Sequence, residues 1–268
     1  MKLGFIGGGA LAGALVKGLA GGWIENPGDI YVSDHKEERC GELREKYHVN
    51  ASAGGADSFV GLVDVLVLAV KPKDARGAME EVAAKVRRET IVVSVVAGMK
   101  LAAVEEYFPQ NPVIRVMPNV AHSVGEGMAA YATGTRVSGE AEALVHALWA
   151  SLGKTAKVPE SLMDAVTGLS GSGPAFAFLM IDALADGGVA AGLPRKTAIL
   201  LAAQTLLGSA KMVLETGLHP DVLRDQVTSP AGTTIAGLRV LEEKGLRSAL
   251  LEAVVAATEK SRALGKRE

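Results

Sequence analysis

Through its first half the chain repeats one grammar: a short, almost continuously apolar run, then a stretch with helical spacing. The apolar runs are residues 2–6, 30–33, 65–70, 91–96 and 113–116; the helical stretches between them are 11–19, 36–47, 74–86 and 101–107. A strand with one wet face alternates apolar and polar residues. Strands that are apolar throughout are buried on both faces, as in a parallel sheet covered by helices. The repeat therefore predicts a doubly wound α/β domain. Residues 128–132 and 155–158 fit edge strands around a helix at 140–152.

From about residue 161 strand signals vanish. Residues 173–191 and 195–215 read as long apolar-rich helices, with Pro174 and Pro194 near their first turns, where a missing N–H does no harm. A third helix runs from Ile235, with Leu238 and Leu241 on the same apolar stripe, and a fourth spans 246–264. Stretches such as "AILLAAQTLLGSA" carry more alanine and leucine than their polar faces balance, so these helices need burial on more than one side. A second copy can provide it, which predicts a homodimer interwoven through this half. The expected division is a dinucleotide-binding domain over 1–158 and a helical dimerisation and substrate-binding domain over 159–268.

Two loops carry the chemistry. The first strand ends at Ile6 and runs through Gly7-Gly8-Gly9-Ala10-Leu11-Ala12 into the first helix, a Gly-x-Gly-x-x-Ala fingerprint. Gly7 permits a tight turn, Gly9 lets a pyrophosphate approach the backbone, Ala12 keeps the helix close to the sheet, and the helix N-terminus offers unpaired N–H groups. The end of the second strand, Ser33-Asp34-His35-Lys36, is mixed: Asp34 suits a ribose hydroxyl, whereas Ser33, His35 and Lys36 suit a 2′-phosphate. The cofactor is therefore read as NADPH or NADH. Ala69-Val70-Lys71-Pro72 ends the next strand of the sheet, facing the same crevice. The second loop, Ser229-Pro230-Ala231-Gly232-Thr233-Thr234, opens a late helix with more hydroxyls than a cap requires, as expected for a site that docks an anion.

Other chemistries fit poorly. The formal charge of −2 gives no reason to expect nucleic acid or an anionic membrane as partner. The basic clusters Lys85-Val86-Arg87-Arg88 and Lys266-Arg267 are short and read as solvated faces. Uninterrupted apolar runs fall short of the about 20 residues a membrane span requires. His35, His48, His122, His146 and His219 show no metal-ligand spacing. Gly168-Leu169-Ser170-Gly171-Ser172-Gly173 does not match Gly-x-Ser-x-Gly, and reads as a flexible approach to the helix at Pro174, capped by Ser172 or Gly173. The single cysteine, Cys40, and a start that leaves no room for a cleavable leader predict a cytoplasmic protein.

Together these residues resemble the Δ1-pyrroline-5-carboxylate reductase family over essentially the whole chain. The most specific motifs are "DAVTGLSGSGPAF" from Asp164, "DALADGGVAAGLPR" from Asp182 and "TSPAGTTIAGLRVLE" from Thr228, with "LAVKP" and "RVMPN" in the first half. The resemblance implies a Rossmann domain joined to a helical dimerisation domain. It implies reduction of the ring imine of 1-pyrroline-5-carboxylate to L-proline by NADPH or NADH, and assembly as homodimers and decamers. By the same resemblance Val116, Met117, Pro118 and Asn119 line the nicotinamide end. Ser229, Gly232 and Thr233 hold the substrate carboxylate, and Thr234 bonds the ring nitrogen as the catalytic residue. Four positions depart from the family pattern: Ala10 and Leu11 in the glycine turn, Ala56 where an asparagine is usual, and Ala231 where the family has glycine. Alternatives in the same class are a broader imine reductase or a β-hydroxyacid dehydrogenase; outside it, a non-catalytic dinucleotide sensor.

Overall fold

The computed structural model describes residues 1–265, so the Lys266-Arg267 pair lies outside the described residues. The chain forms two compact units, Met1–Ser172 with the segment from Ala256 onward, and Gly173–Val255.

The first unit is built on eight strands: β1 Leu3–Ile6, β2 Ile30–Asp34, β3 Asn50–Ala53, β4 Val65–Leu68, β5 Ile91–Ser94, β6 Val113–Pro118, β7 Gly127–Thr133 and β8 Gly153–Lys157. They lie in one sheet in the order β3-β2-β1-β4-β5-β6-β7-β8. β1 to β6 are parallel, β7 runs antiparallel to β6, and β8 is parallel to β7. The helices are α1 Ala10–Leu19, α2 Glu37–Tyr47, α3 Pro72–Val82, α4 Leu101–Tyr107 and α5 Gly139–Ala150. Each apolar run feeds both faces of the sheet. Val65 and Val67 join the cluster with Leu15, Leu19 and Trp149, whereas Leu66 and Leu68 join Met79, Val104 and Phe108. Each such large side chain contributes ~1.5–3 kcal/mol through burial.

Several elements differ from the sequence expectation. β3 was not legible: Asn50-Ala51-Ser52-Ala53 has no β-branched residue. It is recruited by parallel pairing to β2 and by Arg44, whose Nη1 donates to the Ala51 carbonyl at 2.6 Å. β4 and β5 stop at Leu68 and Ser94, and the rest of each apolar run turns along the C-terminal edge of the sheet. Helix α3 starts with Pro72 at its first position, two residues before the expected start.

The expected flexible approach to Pro174 is instead ordered helix. After a 3₁₀ turn at Glu160–Leu162 come α6, Met163–Val166, and a π turn at Thr167–Gly171. Hydroxyls stitch it together: Thr167 Oγ1 donates to the Met163 carbonyl at 2.9 Å and Ser170 Oγ to the Val166 carbonyl at 3.1 Å. Ser172 has right-handed helical dihedrals and closes the π turn, so it is not the extended N-cap expected for the helix at Pro174.

The second unit holds α7 Gly173–Ala190, α8 Arg195–Thr216, α9 Pro220–Gln226, α10 Thr233–Glu243 and the first part of α11, Leu246–Gly265. α9, absent from the sequence reading, starts on Pro220, with His219 Nδ1 accepting the Asp221 amide at 3.2 Å. α7 and α8 pack through small residues, Ala185, Ala198 and Ala202. Their larger apolar side chains stay outside: Leu179 is 70% exposed and Leu200 66%. The stretches Glu160–Ala190 and Arg195–Thr216 have mean hydropathy 1.3 and 1.5, enough by length and composition to cross a membrane, yet only 6% and 11% of their apolar windows are buried within the chain. Absence of a span-length stretch thus holds for uninterrupted runs and not for these helices.

Candidate functional site

The strand order places β1 beside β4, where the chain crosses from one half of the parallel sheet to the other. In open α/β sheets a crevice forms at the C-terminal ends of strands at this switch point. Gly7 makes the turn there with φ +101. Its amide donates to the Ser33 carbonyl at 2.7 Å, and a Cβ on it would stand 2.6 Å from the Ala69 carbonyl oxygen. Gly9 is the N-cap of α1 and has no side-chain cap bond; nothing lies within 4 Å of where its Cβ would be. The first turn of α1 has no acidic residue. Its leading N–H groups, lacking intrahelical partners, are open to an anion.

A cleft of about 870 Å³ opens in front of this turn. Of the residues expected to hold the cofactor, Ile6, Gly7, Gly9, Ala10, Ser33, Asp34, Ala69, Val70 and Lys71 line it. Gly8 belongs to the same loop, but its amide is already donated to Asp34 Oδ2 at 2.7 Å. Leu11 turns its side chain into the core beneath, and Pro72 opens α3 behind the exposed Lys71. Asp34 Oδ1 also accepts the Lys36 amide at 2.9 Å. The Ser33 hydroxyl is buried and donates to the Gly54 carbonyl. His35, Lys36, Arg39 and Lys73 also line the cleft, set against Asp34, Asp74 and Glu81. Arg39 and Lys73 were not singled out in the sequence; Arg39, three residues beyond Lys36 on α2, is the one a helical spacing could have flagged. Ala56, at the position where the family pattern has asparagine, also lines the cleft. A dinucleotide fits this arrangement: a left-handed glycine with no room for a side chain, an uncapped helix N-terminus, and cationic side chains among the lining.

Met117, Pro118 and Asn119 do not line that cleft. Met117 and Pro118 end β6, and the Asn119 side chain just beyond it is a junction. Oδ1 accepts the amides of Ala121 and Met128, each at 3.2 Å, and Nδ2 donates to the Ser170 carbonyl at 3.2 Å. His122, fully buried, has Nδ1 2.7 Å from the Asn119 carbonyl and packs edge-on to Trp149. Burial pushes the His122 imidazole below its ordinary range, and the bond to Asn119 offsets this only in part.

In the second unit the loop before α10 leaves backbone donors open. Ala231 sits in the left-handed region at φ 55. The Gly232 amide folds back onto the Ser229 carbonyl at 3.1 Å, and a side chain on Gly232 would strike the Ser229 hydroxyl. Gly232 is the N-cap of α10 without a side-chain bond, and the first turn carries no acidic residue. Among the described residues, the hydroxyls of Ser229, Thr233 and Thr234 make no hydrogen bond, and Thr234 is half-buried. The open donors are therefore the amides of Thr233, Thr234 and Ile235, because the Gly232 amide is in use.

Comparison with known proteins covers both units. Residues 160–264 match the family model "Pyrroline-5-carboxylate reductase dimerisation", and residues 2–98 match "NADP oxidoreductase coenzyme F420-dependent". A pyrroline-5-carboxylate reductase of Methanosarcina acetivorans is 45% identical over 99% of this chain and 98% of its own length. Pyrroline-5-carboxylate reductase 2 of Homo sapiens is 45% identical over 98% of this chain and 84% of its own. The crystal structure of the Plasmodium falciparum pyrroline carboxylate reductase with NADP bound superposes with a TM-score of 0.89 at 30% identity, covering 99% and 98% of the two chains. With that likeness running through the glycine turn, the sheet and the helical half alike, the chain belongs to the pyrroline-5-carboxylate reductase family.

Proposed function

We propose that the chain reduces the ring imine of 1-pyrroline-5-carboxylate to L-proline, taking hydride from NADPH or NADH. The observation that carries this is 45% identity to pyrroline-5-carboxylate reductases over nearly the whole chain. When bound, the reduced nicotinamide supplies a hydride; the rest of the chemistry is positioning. The amides of Ala10 and Leu11 at the mouth of α1 face the pyrophosphate, and Gly7 and Gly9 leave room for it. Asp34, Lys36 and Arg39 set the balance between a ribose hydroxyl and a 2′-phosphate.

The substrate carboxylate is held by the amides of Thr233 and Thr234, with Gly232 leaving the space and the Ser229 hydroxyl adding a donor. The ring nitrogen, protonated from solvent, donates its N–H to Thr234 Oγ1. Hydride adds to the ring carbon, the C=N π pair moves to nitrogen, and the product is the secondary amine of proline. No acid or base from the chain is required.

In this reading residues 1–158 hold the nucleotide, and residues 159–268 hold the substrate and form the homodimer. Dimers assemble further into decamers, in the cytoplasm, where the single buried thiol of Cys40 stays reduced. Oxidation of each nicotinamide by pyrroline-5-carboxylate, followed at the nicotinamide absorbance, tests the activity directly. Thr234→Ala is expected to lower kcat/KM tenfold to a hundredfold, a loss of ~1.4–3 kcal/mol. Unchanged turnover would remove Thr234 from the reaction.

A further inference from the structure

The π turn at Thr167–Gly171 has an identifiable cause. In an α-helix the Ser170 carbonyl would accept from the residue four positions on, which is Pro174. Proline has no N–H, and its ring crowds the carbonyl four residues back. The helix relaxes by one residue, so that the Ser172 amide reaches the Thr167 carbonyl at 2.9 Å. That leaves the Ser170 carbonyl without an intrahelical donor. π turns of this kind concentrate at functional sites.

The orphaned carbonyl is met by Asn119 Nδ2 at 3.2 Å. The orientation of that amide is fixed chemically, because its other end accepts two backbone N–H groups, from Ala121 and Met128. Two residues back along β6 stands Met117. Gly171, the last residue of the π turn, packs against it so closely that a Cβ would lie 2.6 Å from Met117 Cε. Both ends of the Asn119 side chain are engaged within the protein, and Gly171 keeps a space that Met117 fills.

We infer that Asn119 and Gly171 are positioning residues: the π turn, latched by the Asn119 amide, sets where the Met117 thioether stands at the nicotinamide end of the site. This rests on the proposed function and on the family resemblance that puts Met117 at the nicotinamide end, since Met117 does not line the cleft in front of α1. Gly171→Ala is a mild change for the fold, since the obstructing atom is the free end of a flexible side chain, but it displaces that end. Asn119→Asp keeps the shape and the two accepted bonds, yet turns a donor into a carboxylate facing a carbonyl.

The test uses the full-length enzyme under saturating pyrroline-5-carboxylate and reductant, with reductant affinity and nicotinamide emission measured alongside. Gly171→Ala is expected to lower kcat about tenfold, with reductant Kd within about twofold, because the pyrophosphate and adenosine contacts are untouched. In a Met117→Ala background the same substitution should change kcat by less than about twofold, since the displaced group is gone. For Asn119→Asp, kcat relative to wild type at the same pH should recover on acidification, as a protonated carboxyl regains a donor; Asn119→Ala should show no recovery. Equal losses from Gly171→Ala in both backgrounds would mark a structural role and overturn the proposal. So would no loss from Gly171→Ala beside a clear loss from Met117→Ala. If Met117→Ala changes neither kcat nor nicotinamide emission, Met117 is not at the nicotinamide, and that placement falls together with the proposal.

Discussion

At the scale of single residues, Ala231 is the most informative departure. A left-handed conformation costs a residue with a Cβ roughly 1–2 kcal/mol, and Ala231 holds it at φ 55. The loop thus keeps a geometry suited to the glycine of the family pattern, at a cost in stability. Ala231→Gly should relieve that strain while adding about 0.5–1 kcal/mol of unfolded-state entropy. The expected net is a gain of up to about 1.5 kcal/mol, seen as a higher Tm, with kcat/KM unchanged within about twofold. A lower Tm would mean that the Ala231 methyl makes a compensating contact. His122 gives a pH signature. Its folded pKa lies below the unfolded value of 6.5, because burial disfavours the cation. Above pH 6.5 neither state binds this proton. As pH falls through 6.5 the unfolded state takes it up first, so stability is lost on acidification until the folded pKa is reached, by at most about 1.4 kcal/mol per pH unit. Denaturant unfolding between neutral and mildly acid pH should therefore show a shallower pH slope in His122→Gln than in wild type. Parallel slopes would mean that the folded protein protonates His122 as readily as the unfolded chain does.

At the scale of elements, the glycine turn separates two roles that the fingerprint merges. Gly7 is demanded by the fold, having positive φ and a backbone oxygen 2.6 Å from any Cβ. Gly9 has open space, so the fold itself does not demand a glycine there. Gly9→Ala should leave Tm unchanged and weaken reductant binding about tenfold, ~1.4 kcal/mol, measured by nicotinamide fluorescence titration. Equal affinity would place the pyrophosphate elsewhere. Strand and helix identities were largely legible because burial on two faces and helical spacing leave strong patterns. β3 was not, because its four residues carry no apolar signal and it exists through pairing with β2 and the Arg44 bond. The π turn was misread for a related reason. Gly-Leu-Ser-Gly-Ser-Gly looks flexible in isolation, but local hydroxyl bonds and the docking of Ser170 and Gly171 against Asn119 and Met117 hold it as helix.

At the scale of the whole molecule, α7 and α8 leave large apolar side chains outside, Phe178, Leu179, Leu200 and Leu214 among them. Leaving one such side chain in water forgoes ~1.5–3 kcal/mol, and the region matches a dimerisation family. Leu200→Asp should weaken self-association, lowering the mass seen by sedimentation without loss of the helical signal. An unchanged mass would place the interface on another face. Hydrophobic period and the glycine fingerprint are local properties, and by themselves they determined the doubly wound sheet and the helical second half; the long motifs of the second half carried the family resemblance, and two loops stood out as candidate anion sites. Tertiary structure alone decided which amides remain open, that Asp34 is tied to the glycine loop, that Ala231 is strained, and that Asn119 holds the π turn. Those are matters of hydrogen-bond partners and space between segments far apart in sequence, which no local pattern encodes.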